Sequence, residues 1–515
     1  MQRHTDLWNG EFTPLPAILA AHAVERPEAI AVIDDDRQCN YREFDARVDQ
    51  VAASLQRDGV LPGQCVAICA RTSLEYLATF LGALRAGAAV APLAPSSTPG
   101  QLRTMLEDCA ARIFYVDQDT ALPADVGAIR GKLVNLEGVF GGEPFAIWLG
   151  KPGSRPAAIT IAPESPFNII YSSGTTGAPK GIVQSHAMRF GFVRMLAAYD
   201  YLPTSVSLIS TPLYSNTTLA SVLPTLSVGG TLILMKKFDA RRFVQLAAKY
   251  RVTHAMLVPV QYNRIMALPD FDGYDLSGFV MKFSTSAPFS AELKADVLRR
   301  WPGGLVEFYG MTEGGGVCVL EAHRYQHKLS SVGRPVSGHD IRLIGEDGNE
   351  VPPGESGEVV GHSAAMMTGY HNQPGKSADA EWFDNAGKRF IRTGDIGKFD
   401  ADGFLTLVDR KKDMIISGGF NIYPSDIEYV IVQHPDVLEA AVVGMPSKRW
   451  GEAPVAFVTR KPGRRLDAGA LAAFVNARVG KVQRPAAYEF LDGLPRSGIG
   501  KVLKRELRDR KVNVE

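Results

Sequence analysis

Apolar positions along this chain follow the two spacings of an α/β protein. Residues 14–33 read as a helix followed by a short strand, Ala29 to Ile33. From Tyr41 to Leu55 the apolar side chains Phe44, Val48, Val51, Ala52 and Leu55 recur every three or four residues, which predicts an amphipathic helix. Gln64 to Cys69 is an apolar run and predicts a buried strand. Ser73 to Ala86 predicts a helix and Ala88 to Leu93 another strand. The alternation returns further along, with helices over Phe238 to Tyr250 and Ala291 to Arg300 and strands over His254 to Val258 and Leu305 to Tyr309. Strands alternating with helices of roughly 10–15 residues predict α/β sheets.

From Val332 the pattern changes. Short β-rich runs (Asp340–Leu343, Gly357–Gly361, Arg389–Ile391, Phe404–Val408) are separated by Gly, Pro and Asp turns and predict a β-rich subdomain. Asp409-Arg410-Lys411-Lys412-Asp413 is a charged break. Beyond it, Asp426 to Val432 and Ala468 to Val479 predict helices, and Val437 to Val443 and Val455 to Thr459 predict strands. The expected organisation is a large domain, 1–409, of α/β sheets plus the β-rich subdomain, and a small α+β domain, 410–515. A length of 515 residues agrees with several units, at roughly 150 residues each.

Composition narrows the function classes. The formal net charge is +1, which gives no electrostatic case for nucleic acid. The five cysteines form no CxxC pair, and with ten scattered histidines they show no zinc spacing. Reduced thiols in a cytoplasmic protein are expected. The N-terminus lacks the apolar core of a signal peptide, and the apolar stretch from Leu77 to Leu93 is interrupted by Arg85, so no integral membrane segment is expected.

The chemistry concentrates in a few runs. Tyr171-Ser-Ser-Gly-Thr-Thr-Gly-Ala-Pro-Lys180-Gly-Ile-Val183 follows the β-branched approach Phe167 to Ile170. Glycine lets backbone amides come close to a ligand, hydroxyls and amides offer donors to oxygen, and Lys180 adds a compact positive charge. Such a loop suits a polyphosphate, although Ser/Thr/Gly loops also serve as plain turns. It is not the loop of the common NTPases, because Gly181 follows Lys180. The second run is Phe308-Tyr309-Gly310-Met311-Thr312-Glu313-Gly314. It sets a hydroxyl and a carboxylate just past a strand end, where α/β sheets bind ligands. Standing alone, the run suits either an ordinary capped turn or, through the Glu313 oxygens, a Mg²⁺ site. The others are Ser284-Thr285-Ser286-Ala287-Pro288, Arg392-Thr-Gly-Asp395, Ile415-Ile-Ser-Gly418-Gly419-Phe-Asn-Ile-Tyr-Pro424 and Pro495-Arg-Ser-Gly-Ile-Gly-Lys501.

In this wording and order, the runs resemble the motifs of the adenylate-forming superfamily, which includes acyl-CoA and aryl-CoA ligases, luciferases and the adenylation domains of peptide synthetases. The resemblance spans residues 171–507. It implies that Ser172, Ser173, Gly174, Thr175, Thr176, Gly177 and Lys180 hold ATP phosphates. Ser286, Ala287 and Pro288 would lie against adenine, with Tyr309, Gly310 and Met311 nearby. It implies that Thr312 contacts phosphate or carboxylate oxygen, that Glu313 serves Mg²⁺, and that Asp395 and Arg410 take the ribose. Lys412 would be a hinge for a mobile small domain, and Lys501 the adenylation lysine. Lys504 competes for that role, since Ser-Gly-Ile-Gly-Lys is one residue longer than the usual form. Gly418 and Gly419 would line a pantetheine tunnel, with Trp450 near the CoA nucleotide or, alternatively, packed as an ordinary core residue.

The implied reaction is ATP-dependent adenylation of an acyl or aromatic acid followed by thioester formation with CoA. Monomer and homodimer both fit. Tyr214, Ser215, Asn216, Thr217 and Thr218, with Ser284 and Thr285, match the substrate pocket. Ser215 stands where many relatives have histidine. The aspartate that holds an α-amine in amino-acid-activating domains is absent, which disfavours an α-amino acid, because an unpaired buried ammonium is costly. The pocket hydroxyls can equally be core groups bonded to backbone. Competing readings are an adenylation enzyme that loads a carrier-protein thiol, a luciferase-like oxygenase and a non-catalytic ligand-binding relative.

Overall fold

The computed structural model describes residues 12–120, 122, 131–137, 141–172, 179–410, 413–417, 420–447, 450–497 and 500–512. It divides into two compact units. The first comprises residues 1–340 and 361–391, and the second 341–360 and 392–515. The second unit therefore takes in parts of the β-rich stretch after Val332, besides the expected 410–515.

The first unit is built on two sheets. In one, the strands Ile30–Asp34, Thr231–Leu234, Val206–Ile209, His254–Leu257, Met281–Ser284 and Gly304–Gly310 run parallel in that spatial order. Antiparallel strands extend both edges. In the other sheet, Lys132–Asn135, Ile113–Val116, Cys65–Cys69, Ala89–Leu93 and Pro166–Ser172 run parallel, and Lys180–Ser185 closes the edge antiparallel. The helices Tyr41–Arg57 and Leu74–Arg85 share one core with both sheets: Phe44, Val48 and Phe80 pack with Val32 and Leu232 from one and Val66, Ile68 and Val90 from the other. Burial on both faces explains why these strands read as continuous apolar runs.

Local sequence sets these elements. Asn40 caps the Tyr41 helix by accepting from the Glu43 amide at 2.9 Å, and Glu43 accepts in return from the Asn40 amide at 3.0 Å. Gly82 lets the two helices touch, since a Cβ there would lie 2.5 Å from Val51 Cβ. A buried lysine, Lys282, caps the end of the helix Ala291–Arg300 region. Its Nζ donates to the carbonyls of Pro302 at 2.6 Å, Gly303 at 2.8 Å and Trp301 at 3.2 Å. Burial pulls its ammonium down to about 7. Lys282→Met should leave three carbonyls short of a donor and lower stability by about 2–4 kcal/mol, read as a shifted urea midpoint.

In the second unit, the strands Phe420–Ile422, Ile415–Ser417, Gly451–Arg460 and Val437–Ser447 form an antiparallel sheet, and Ala487–Leu491 adds parallel to Gly451–Arg460. Ile427 and Ile431 of helix Pro424–Val432, and Leu471 and Val475 of helix Ala468–Asn476, pack on one face. Leu494 and Leu507 close the other.

Candidate active site

In the first unit the signature run folds as a β-hairpin. Its arms are Pro166–Ser172 and Lys180–Ser185, with Ser172 opposite Lys180 and Tyr171 opposite Gly181. Ser173, Gly174, Thr175, Thr176 and Gly177 lie outside the described residues, as does the side chain of Ser172. The hairpin base is anchored by Tyr171 Oη, which donates to Asp108 Oδ2 at 2.6 Å.

The Thr312–Glu313 turn follows the strand Gly304–Gly310 and is tied to this hairpin from several sides. Gln184 Nε2 donates to the Thr312 carbonyl at 2.7 Å. The Met367 amide donates to the Glu313 carbonyl at 2.8 Å. Tyr370 Oη donates to Glu313 Oε1 at 2.8 Å, and Lys180 Nζ stands 4.7 Å from the centre of the Tyr370 ring. Tyr370 in turn bridges Ile182, and the His371 amide donates to the Gly181 carbonyl at 2.7 Å. One tyrosine thus touches both the signature lysine and the predicted magnesium carboxylate. Burial and the Glu313 carboxylate push its phenol well above the usual tyrosine range, so it stays a donor. Gly314 makes the turn possible. Its φ is +75°, and a Cβ there would lie 1.9 Å from the Ala365 carbonyl oxygen.

Glu313 suits Mg²⁺. It is a single carboxylate with one oxygen held by a neutral donor, and Mg²⁺ usually takes one or two carboxylates plus water and phosphate. Among the described residues no cluster of three His, Cys, Asp or Glu forms a closed metal cage. Removing the Tyr370 hydroxyl should loosen Glu313. We expect Tyr370→Phe to lower kcat/KM by about tenfold, since a hydrogen bond to a charged group contributes roughly 1.5–3 kcal/mol, and to raise the Mg²⁺ needed for half-maximal rate. A magnesium titration of initial rates checks it.

The segments matched to adenine and substrate also meet. Ser286, at a φ of +79°, has its hydroxyl 2.6 Å from that of Thr217. Ala287 is half-buried and Pro288 exposed beside it, and Thr285 is half-buried. Ser215 caps the helix Asn216–Ser227 by accepting from the Thr217 amide at 3.3 Å. The Thr218 hydroxyl donates to the Pro212 carbonyl at 2.5 Å and lies 2.8 Å from the Thr211 hydroxyl, so it is a core group. Asn216 Oδ1 accepts from the Arg189 guanidinium at 2.7 Å. Tyr214 is half-buried, and burial raises its phenol. Ser284 is fully buried on its strand, and its hydroxyl has no hydrogen-bond partner among the described residues. Tyr309, Gly310 and Met311 lead into the Thr312 turn, with Met311 packed on Ile182, Met367 and Tyr370.

In the second unit, Asp395 is buried within the strand Arg389–Phe399, next to Gly394, whose φ is +71°. Its amide donates to Thr393 Oγ1 at 3.0 Å, and Asp395 sits opposite Arg410 across an antiparallel pair. Arg392 forks onto Glu358. The Arg410 side chain, Lys412, Gly418 and Gly419 lie outside the described residues. Trp450 is 49% exposed, more open than a packing tryptophan. Lys501 is exposed on a tight hairpin in which its carbonyl accepts from the Ser497 amide at 2.8 Å and Arg496 bridges Val502. The competing Lys504 is engaged with Glu428 at 2.8 Å.

Gln184, Tyr370 and Asp108 were missed by sequence reasoning. They act across long separations in the chain, and no motif spacing points to them.

Comparison with known proteins agrees with this geometry. The AMP-binding enzyme family matches residues 19–371, and the AMP-binding enzyme C-terminal domain matches residues 426–501. The chain is 34% identical to an indoleacetate–CoA ligase of Aromatoleum aromaticum over 95% of this chain and 96% of the relative. It is 35% identical to a feruloyl-CoA synthase of an Amycolatopsis species, over 94% and 96%. Among solved structures, ATP-bound MatB from Rhodopseudomonas palustris superposes with a TM-score of 0.86 at 29% identity, covering 96% of this chain and 99% of that one. The chain belongs to the AMP-binding enzyme family, the adenylate-forming enzymes that its motifs resemble.

Proposed function

We propose that this protein is an AMP-forming carboxylate–CoA ligase acting on an aromatic or acyl acid in the cytoplasm. The observation that carries the reading is the joining of Lys180 and Glu313 through Tyr370, beside a turn fixed by Gln184. That arrangement suits a triphosphate: a cation for phosphate oxygen, a carboxylate for its metal, and a hydroxyl, Thr312, at the same strand end. Mg²⁺, when bound, neutralises phosphate charge as it builds. In the first half-reaction a carboxylate oxygen attacks the α-phosphorus and pyrophosphate leaves. The substrate is its own nucleophile, so the protein contributes positioning and charge. Lys501 is assigned to the α-phosphate and leaving group, and Asp395 and Arg410 to the ribose. In the second half-reaction the CoA thiol attacks the acyl carbonyl and AMP leaves, with Gly418, Gly419 and Trp450 assigned to CoA. Rotation at Lys412 would exchange Lys501 for the tunnel.

An aromatic acid is favoured by the two ligase relatives, which are named for indoleacetate and feruloyl-CoA. The test is a panel of indole and phenyl acetates, cinnamates, benzoates and fatty acids with Mg²⁺-ATP and CoA, read by product mass. A thioester from an aromatic acid supports the reading. Adenylate without thioester moves the acceptor to a carrier protein.

A further inference from the structure

Arg189 lies in the helix His186–Ala197, is 5% exposed, and among the described residues has only neutral partners. Its Nε donates to Asn168 Oδ1 at 3.1 Å, a terminal nitrogen donates to Asn216 Oδ1 at 2.7 Å, and the guanidinium stands 5.7 Å from the centre of the Phe167 ring. No carboxylate among the described residues pairs with it. Burial alone pulls this guanidinium down to about 9. A buried cation without a counter-charge is costly, and amide oxygens offset only part of that cost.

The same side chain borders a cavity of about 20 Å³ whose wall is mostly apolar, with Leu15, Ile18, Phe167 and Leu223, and whose other polar lining residues include His186 and Ser227. The space takes about one water-sized sphere. Ser227 is buried and its hydroxyl has no hydrogen-bond partner among the described residues. Next to the guanidinium, Asn168 is fully buried. Its Oδ1 is taken by Arg189, so the amide presents Nδ2, which also lacks a partner among the described residues. Beside the uncompensated charge of Arg189, the groups without a partner among the described residues are thus the Asn168 Nδ2 donor and the Ser227 hydroxyl, which can donate.

We propose that the cavity beside Arg189 binds a small monovalent anion of halide size. The anion supplies the missing counter-charge and accepts from Ser227 and the guanidinium, which a water would do without the charge. Arg189 holds Asn168, on the strand that enters the signature loop, and Asn216, which opens the substrate helix. Filling the site therefore firms both segments. The site is separate from the adenylation chemistry and stands whether or not that assignment holds.

The probe is bromide. The full chain, dialysed into sodium gluconate, is titrated with sodium bromide at constant ionic strength while its melting temperature is followed. A rise of several degrees that saturates in the millimolar range is expected for the wild type. Ser227→Ala, which removes one small hydroxyl, should raise the half-saturating bromide several-fold. Arg189→Met should show no saturable rise, and if it fails to fold, Ser227→Ala carries the test. Bromide-soaked crystals should give an anomalous peak beside Arg189. A wild-type melting temperature indifferent to bromide, a Ser227→Ala response equal to wild type, or anomalous peaks only elsewhere overturns the proposal.

Discussion

Lys501→Ala should lose acid-dependent pyrophosphate release by a factor on the order of 10²–10³, while thioester formation from a supplied acyl-adenylate and CoA stays near wild type. The magnitude follows from removing one charge aimed at a phosphate that gains negative charge in the transition state. The selectivity follows from the assignment of the two halves to different parts of the small domain. Lys501 is exposed on a hairpin held by its own backbone, so alanine leaves the fold of that unit intact. Lys504→Ala should behave differently. It breaks an ion pair with Glu428 and costs stability, with no selective loss of the first half-reaction. Equal loss of both halves in Lys501→Ala would contradict the exchange of lysine for tunnel.

The second large effect is expected at Gly314. Gly314→Ala adds one methyl group, yet its Cβ would meet a backbone oxygen at 1.9 Å, and the residue must keep a positive φ. Backbone cannot give way as a flexible side chain does. The 312–314 turn must shift, and the Thr312 hydroxyl and Glu313 carboxylate move with it. Misplacement of about 1 Å costs on the order of 10² in rate. The strain itself lowers stability by about 1–3 kcal/mol. Stopped-flow pyrophosphate release and thermal melting read the two effects separately. A variant with wild-type rate and melting temperature would contradict the clamp described for this turn.

The legible and illegible parts of this protein differ for physical reasons. The helix Tyr41–Arg57 was readable because it covers a core on one side only, so its apolar spacing carries the period. The helix Asn216–Ser227 was read only as a pocket segment. It is buried almost all round and carries Pro224 inside, so no period marks it. The helix Pro99–Cys109 received no assignment, although Thr98 and Gln101 form a capping box that signals its start. In the site, motif residues were named from wording, but the groups that hold them were not. Tyr370 is an isolated tyrosine in a turn-rich stretch, and its value comes from reaching Glu313 and Lys180 in space. Arg189 lies on a helix whose pattern gives no hint that its charge is buried. Thr218 and Ser215 illustrate the opposite case, since their hydroxyls serve the backbone of their own segment, as the alternative sequence reading allowed.

The central claim is that a carboxylate oxygen becomes bonded to the α-phosphorus of ATP before CoA takes the acyl group. The most direct measurement uses an aromatic acid labelled with ¹⁸O in its carboxylate, turned over with Mg²⁺-ATP and CoA. The account predicts that AMP gains one heavy oxygen and that pyrophosphate gains none. Label in inorganic phosphate with ADP as the nucleotide product, or AMP free of label, would contradict it.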